Sequence, residues 1–345
     1  MQAIYRKILD KIAGGRVLFF VLAQPFINLL YRKKALKILK ERSRCSLNNI
    51  SKLSEDIPSK FYYAATDEKE KFNDFYGIAS VLKSFARLPQ NKVIKAYIEH
   101  AITFTDYSCP SENDCAYKSV ILCGDFRENV LLKEKINKKI IKIGPYINYA
   151  SPYLPQEKFR KEKKRLGKNI LAFPAHSVPR IDVDYDIKSF SREVLSLKKK
   201  YKYDSARVCL YWKDARLEKT YRDLGFEVVS AGHQFDPLFL PRLRTLIELA
   251  DLTISNGVGS HIGYSLSLRV PHYLVMQKVK INYPKGEFDK NLNRKFDQTK
   301  ENLHEVFGKY SEKITKRQWE AMNVFSGFDH PKSSDELSKI LSNLS

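Results

Sequence analysis

The sequence predicts an α/β chain of two Rossmann-like domains facing a cleft, with helical extensions at its N- and C-terminal ends. Three observations lead there. At 345 residues the chain is long enough for two domains of ordinary size with separate cores. Its second half alternates short apolar runs with segments of helical period, the pattern of βαβ units on a parallel sheet. Hydrophobic residues make up 43% and charged residues 29%, a globular composition that excludes global disorder.

Residues 1–45 form a basic and apolar N-terminal helical segment. The run 17–30 (VLFFVLAQPFINLL) follows Arg6, Lys7, Lys11 and Arg16 and leads into YRKKALKILKERSR. This run is shorter than the roughly 20 apolar residues that cross a bilayer, and it lacks the small-residue cleavage site of a signal peptide. Basic residues on both sides suit a segment lying against an anionic membrane surface. A first helix buried against the body suits it equally.

Residues 46–150 make the first α/β domain. It contains a helix at 75–85, strands at 93–98 (VIKAYI) and 119–123 (SVILC), and a strand in NKKIIKIGPY that stops at Gly144-Pro145. Residues 151–168 are proline-marked and then heavily basic, as a linker or an exposed crossover helix would be. Residues 169–297 make the second domain. Its strands are expected at 169–173, 206–211, 226–230, 252–254 and 272–275. Its helices are expected at 187–201, 215–223, 239–250 and 261–268. The tail 298–345 is helical and polar, with Trp319 and Phe325 as packing anchors.

Lys and Arg number 61 against 39 Asp and Glu, a net charge of +22 that favours anionic partners. The basic runs KFRKEKKR and LKKKYKY carry no nucleic-acid motif and read as solvated faces, so no specific nucleic acid is expected. Five cysteines at irregular spacings imply reduced thiols in a cytoplasmic chain. Cys109, Cys115 and Cys123 match no zinc spacing, and no metal is expected.

In doubly wound sheets ligands bind beyond the carboxyl ends of the strands, which singles out four loops. They present Glu99 and His100, then His176 and Ser177, then Asp214, then His233 and Asp236. Imidazole is the usual general base near neutral pH. Glu99, His100, His176 and His233 are therefore candidate catalytic groups, with Asp214 and Asp236 as further cleft residues. The phosphate signal is SNGVGSHIGY, with Asn256, Gly257, Gly259, Ser260, His261 and Tyr264 between a strand and a helix. Small residues admit a ligand to the backbone, and a helix N-terminus offers N–H groups and positive dipole to phosphate. The glycine spacing departs from the strict dinucleotide fingerprint, and a tight turn with close packing would explain it too. Arg242 and Arg244 precede this loop and could fork a phosphate or face solvent.

On IGPYINYA, FPAHS, YWKDAR, GFEVVSAGHQFDPLFLPRL and ADLTISNGVGSHIGYSLSLRVPHYLV, about residues 143–275, the chain resembles the donor-binding half of GT-B glycosyltransferases from bacterial capsule and O-antigen clusters. The resemblance implies a nucleotide-sugar donor in the interdomain cleft and a lipid-linked or oligosaccharide acceptor presented from the N-terminal half. It implies no metal or other cofactor, and an enzyme peripheral on the inner face of the plasma membrane. In that reading residues 255–264, with Ser177 nearby, hold the donor phosphate, helped by Arg242 or Arg244. His176 or His233 faces the reacting centre, and Glu99 or His100 is the acceptor-side base. Glu248 is the nearest acidic candidate for a ribose. Asp182-Val183-Asp184 has the letters of a metal motif but falls in an expected loop. A polyol-phosphate transferase of the same fold is one alternative. A non-enzymatic basic binder of nucleic acid or membrane is the other.

Overall fold

Two parallel sheets organise the chain. The computed structural model describes residues 15–344 apart from 57, 109, 180 and 283–289, with the backbone alone at 15–20, 59, 110–111 and 290–297. Arg6, Lys7, Lys11 and Cys109 therefore lie outside the described residues. The first sheet holds β1 (Tyr97–Ile98), β2 (Ser119–Leu122) and β3 (Lys139–Lys142) in the order β1-β2-β3. Its central strand β2, sequence SVIL, is buried on both faces, as parallel strands between helical layers are.

Two expectations for this half change. The strand expected at 93–98 shortens to β1, because side chains replace a neighbouring strand as acceptors. Glu68 accepts the N–H of Ile94, and Asn73 Oδ1 accepts that of Ile98. The helix expected at 75–85 begins only at Ile78, since Tyr76 and Gly77 take φ of 58° and 72°. At Gly77 a Cβ would collide with the Pro237 carbonyl, so only glycine fits this contact between the halves.

The second half supplies β4 (Asn169–Phe173), β5 (Asp182–Tyr185), β6 (Ser205–Cys209), β7 (Glu227–Val229), β8 (Leu252–Ser255), β9 (His272–Leu274) and β10 (Val279–Asn282). Five of these form a parallel sheet in the order β7-β6-β4-β8-β9. The chain winds outward from β4 to β7 on one side and returns to add β8 and β9 on the other, so the winding reverses between β4 and β8. β5 and β10 pair antiparallel beside this sheet. The Asp182-Val183-Asp184 segment is thus a strand rather than a loop. Its aspartates face solvent while Val183 and Tyr185 turn inward.

The expected architecture is present: two Rossmann-like halves facing a cleft, with helical extensions. The cores are not separate, however. One apolar cluster contains Ile98 and Ile121 of the first sheet, Leu171 and Phe173 of the second, and Leu243, Ile262, Met322 and Leu337 from helices between and beyond them. The C-terminal tail joins it by returning across the first half. There Phe325 sits 5.0 Å from Phe104 and 4.7 Å from Phe126, and Ser334 Oγ donates to the Phe85 carbonyl at 2.7 Å. Trp319 packs on Phe328, with the Arg269 guanidinium 4.5 Å from its centroid. Of the segment assigned to the first domain, Ile50 lies in the outer core of the second sheet, and Leu47 O accepts the Ser230 N–H.

The N-terminal helix Gly15–Arg42 extends well past the apolar run that predicts it. One side packs on the helix Ser59–Ala65 through Ala35 and the partly buried Ile27, Tyr31 and Ile38, while Gln24 Nε2 donates to the Tyr63 and Thr66 carbonyls. Among the described residues no helix is long and apolar enough to cross a membrane.

Candidate functional site: a histidine-lined cleft between the two sheets

The parallel strands end around one cleft of about 240 Å³. From β4 come Phe173, Pro174 and His176; from β6, Cys209, Leu210 and Tyr211; from β7, Ala231; and from the loop after β8, Gly259, Ser260 and His261. The first half closes the other side with Tyr76, and with His100, Ala101 and Ile102 beyond β1. The cleft therefore lies at the point where the winding reverses between β4 and β8, where an open α/β sheet leaves its crevice.

Hydrogen bonds fix these loops on one another. Asn256 Oδ1 accepts the Ala175 N–H at 2.6 Å, tying the loops after β4 and β8 across the reversal. Asp214 Oδ2 accepts the Ser177 N–H at 2.7 Å, and Ser177 Oγ accepts from Val183 N at 3.1 Å. Asn256, Ser177 and Asp214 thus hold the walls and do not line the cleft. The Tyr76 N–H donates to Gln234 O at 2.6 Å, and Ser260 Oγ accepts the Ile102 N–H at 3.1 Å, so both contacts span the halves.

The helix Ser260–Ser267 starts at the cleft with Gly259 at its N-cap, and no side chain caps it. Its first N–H groups and the positive end of its dipole are therefore turned to the space where an anion would lie. Tyr264, one turn in, also lines the cleft. Among the described residues the lining contains no Asp, Glu, Lys or Arg.

Three histidines stand on the walls, and all are neutral at pH 7. Burial and the nearby Arg127 charge lower His100 to about 4. Burial lowers His261 to about 3, with His176 adding to the effect. His261 stacks on Phe173 at 5.1 Å, and its Nε2 is buried with no hydrogen-bond partner among the described residues. His176 is crowded by Tyr211, 4.4 Å between ring centroids, yet opens to solvent. Desolvation lowers its pKa against the opposing pull of Asp214. Burial holds the Tyr264 and Tyr211 phenols well above their usual range, leaving them as neutral hydroxyls.

Seven expected residues lie elsewhere. Glu99 is buried in an ion pair with Arg127, which also binds Glu112 at 2.9 Å, and burial raises Glu99 to about 7. His233 turns away beyond Gly232, whose φ is +103°, while Ala231 stays on the cleft. Its Nδ1 meets the Tyr62 hydroxyl at 2.6 Å, and burial lowers its pKa to about 3. Arg242 is fully buried, paired with Asp236 at 2.8 Å and donating to the Arg42 carbonyl at 2.9 Å. Asp236 is engaged by that pair and by the Leu238 N–H. Arg244 binds Glu248 at 2.8 Å and the Ala150 carbonyl at 2.7 Å, so neither it nor Glu248 lines the cleft. Gly257 abuts Ala175 behind the wall. Apart from Gly257, each of these side chains already has a partner inside the protein.

No protein-family model matches this chain, and no curated protein matches it in sequence. Among solved structures it is similar to UDP-GlcNAc 2-epimerase from Methanocaldococcus jannaschii, 11% identical, with 84% of this chain and 83% of that one covered and a TM-score of 0.39. It is also similar to UDP-GlcNAc 2-epimerase from Neisseria meningitidis bound to UDP-GlcNAc, 18% identical over 68% of this chain and 64% of that one, with a TM-score of 0.35.

Sequence reasoning missed the aromatic part of the wall: Tyr76, Tyr211, Phe173 and Phe239. Tyr211 and Phe173 end strands and carried a positional signal. Tyr76 carried none, because it was read inside a helix.

Proposed function

We propose that this chain is a glycosyltransferase that moves a sugar from a nucleotide-sugar donor to a growing, lipid-linked surface polysaccharide at the cytoplasmic face of the plasma membrane. One observation carries the reading. An uncapped helix N-terminus opens into a cleft at the winding reversal of a doubly wound sheet, and a neutral imidazole of the other half, His100, stands on the same cleft. The donor's phosphates would sit at Gly259, Ser260 and His261, and the flat rings of Phe173 and Tyr211 would flank base or sugar. His100, or else His176, would take the proton from the acceptor hydroxyl as its oxygen attacks the anomeric carbon. The bond from that carbon to the phosphate oxygen breaks, and the departing nucleotide keeps the electron pair. The helix dipole and the Tyr264 hydroxyl would stabilise its charge.

A thermal-shift series with UDP-, GDP-, CMP-, CDP- and dTDP-linked compounds tests the donor half of this reading. A ligand at 100 times its Kd adds about 2.7 kcal/mol to the folded state. No shift with any of them would remove its support. Product analysis tests the rest, since a polyol-phosphate transferase would leave a new phosphodiester in the product.

A further inference from the structure

The outer side of the helix Gly15–Arg42 carries a set of uncovered apolar side chains. Leu22, Phe26, Leu29 and Leu30 are 67%, 70%, 83% and 67% exposed. Their spacing puts them on one face, opposite the Gln24 and Ala35 side that packs on the body. Soluble monomers rarely expose a contiguous apolar patch above a few hundred Å², and no described residue covers this one.

The chemistry beside the patch names what covers it. The same face continues toward the C-terminal end of the helix with the exposed Lys33, Lys37 and Lys40. From Lys11 to Lys40 the sequence contains no Asp or Glu. An apolar patch flanked by flexible ammonium groups and free of carboxylates matches the interface of an anionic bilayer, where rings and leucines enter the acyl boundary and lysines reach the headgroups. A protein partner would not require that one-signed charge.

We propose that this face docks the protein on an anionic phospholipid surface, with the helix lying in the interfacial plane. Three lysines near such a surface are worth about 100-fold in partitioning. Docking needs no sugar nucleotide, so its failure and the failure of the donor reading are separate results.

The test is flotation of the full chain with vesicles of phosphatidylcholine alone and with about 30% phosphatidylglycerol. The wild type should float with the anionic vesicles, weakly or not at all with the neutral ones, and less at high salt. The variant Phe26→Ser/Leu29→Ser should lose binding with an unchanged melting temperature, because both side chains are exposed. The variant Lys33→Glu/Lys37→Glu/Lys40→Glu, which leaves the apolar patch intact, should lose more than about 100-fold, because it removes three attractive charges and adds three repulsive ones. The proposal is overturned by equal binding to neutral vesicles or by full binding of either variant. It is equally overturned if light scattering shows a dimer that Phe26→Ser/Leu29→Ser dissociates while no vesicle is bound.

Discussion

Replacing Ser260 by aspartate separates the effect of the helix N-terminus on folding from its effect on a ligand, because the two have opposite signs. Ser260 is the first residue of the helix Ser260–Ser267 and lines the cleft. A carboxylate in the first turn of a helix contributes about 0.5 kcal/mol of stability. It can still accept the Ile102 N–H that Ser260 Oγ now accepts at 3.1 Å. It loses the weaker donation to the Ile102 carbonyl at 3.4 Å, a cost of about 0.5 to 1 kcal/mol. These nearly cancel, so the melting temperature should move by no more than about 2 °C. A bound phosphate meets the same carboxylate as a like charge. At roughly 6 Å and an effective dielectric of about 20 the repulsion is about 3 kcal/mol per unit charge. Salt in an open cleft reduces that to about 2 kcal/mol, a loss of roughly 30-fold in affinity. Ser260→Asn supplies the neutral control of similar size, and titration calorimetry of both variants with the nucleotide that gives the largest thermal shift measures the ratio. If the two folded variants bind that nucleotide equally, the phosphate does not lie at this helix and the reasoning is wrong.

Four further outcomes are expected. His100→Gln should lower kcat by about 10² to 10⁴, the range for loss of a general base, with KM and melting temperature little changed; unaltered turnover would exclude His100. With His100 at about 4, the acid limb of kcat/KM should fall near pH 4 to 5 in place of 6.5, and an inflection at 6.5 would reject it. Gly77→Ala should destabilise the fold by more than about 2 kcal/mol, because a Cβ there strikes the Pro237 backbone at a positive φ; an unchanged urea midpoint would show that the contact between the halves yields. Stability should fall as pH drops from 6.5 to 4.5. Folded His100, His176, His233, His261 and His272 have lowered pKa values, so their contribution is complete above pH 6.5 and is lost on acidification. Glu68, Asp74 and Glu99 are raised and act with the opposite sign in that window. With His176 discounted because it is exposed, the other four histidines against three carboxylates leave a net loss of roughly 1 kcal/mol per pH unit, and equal urea midpoints at the two values would contradict it.

Local pattern was enough for much of the second half. The runs NILAF and LTIS are short, mostly apolar or small and bounded by turns, and they become β4 and β8, strands buried on both faces that need no polar alternation. The helix starting at Ser260 was legible from its glycines and small residues. The first half was harder because its backbone groups are satisfied by distant side chains. Asn73 and Glu68 decide where β1 begins, and no window of local sequence contains that information.

Among the site residues, sequence position identified every histidine that ends a strand but not the way each side chain turns. His100, His176 and His261 line the cleft, whereas His233, equally well placed in the sequence, turns away at Gly232. Arg242 and Arg244 have the right charge for a phosphate, but Asp236, Glu248 and backbone carbonyls already hold them.

The sequence by itself determined the fold class, the loops that meet at the cleft and the basic, apolar character of the N-terminal helix. These follow from periodicity and composition, which are local quantities. Tertiary structure alone decided which polar groups are engaged inside the protein, that the two halves share one apolar core, and that Phe26 and Leu29 face outward. Those outcomes depend on which side chains compete for the same partner and the same buried space: Asp236 and Glu248 are local partners of Arg242 and Arg244, but the Arg42 and Ala150 carbonyls, and Tyr62 for His233, are dozens to hundreds of residues away in the chain.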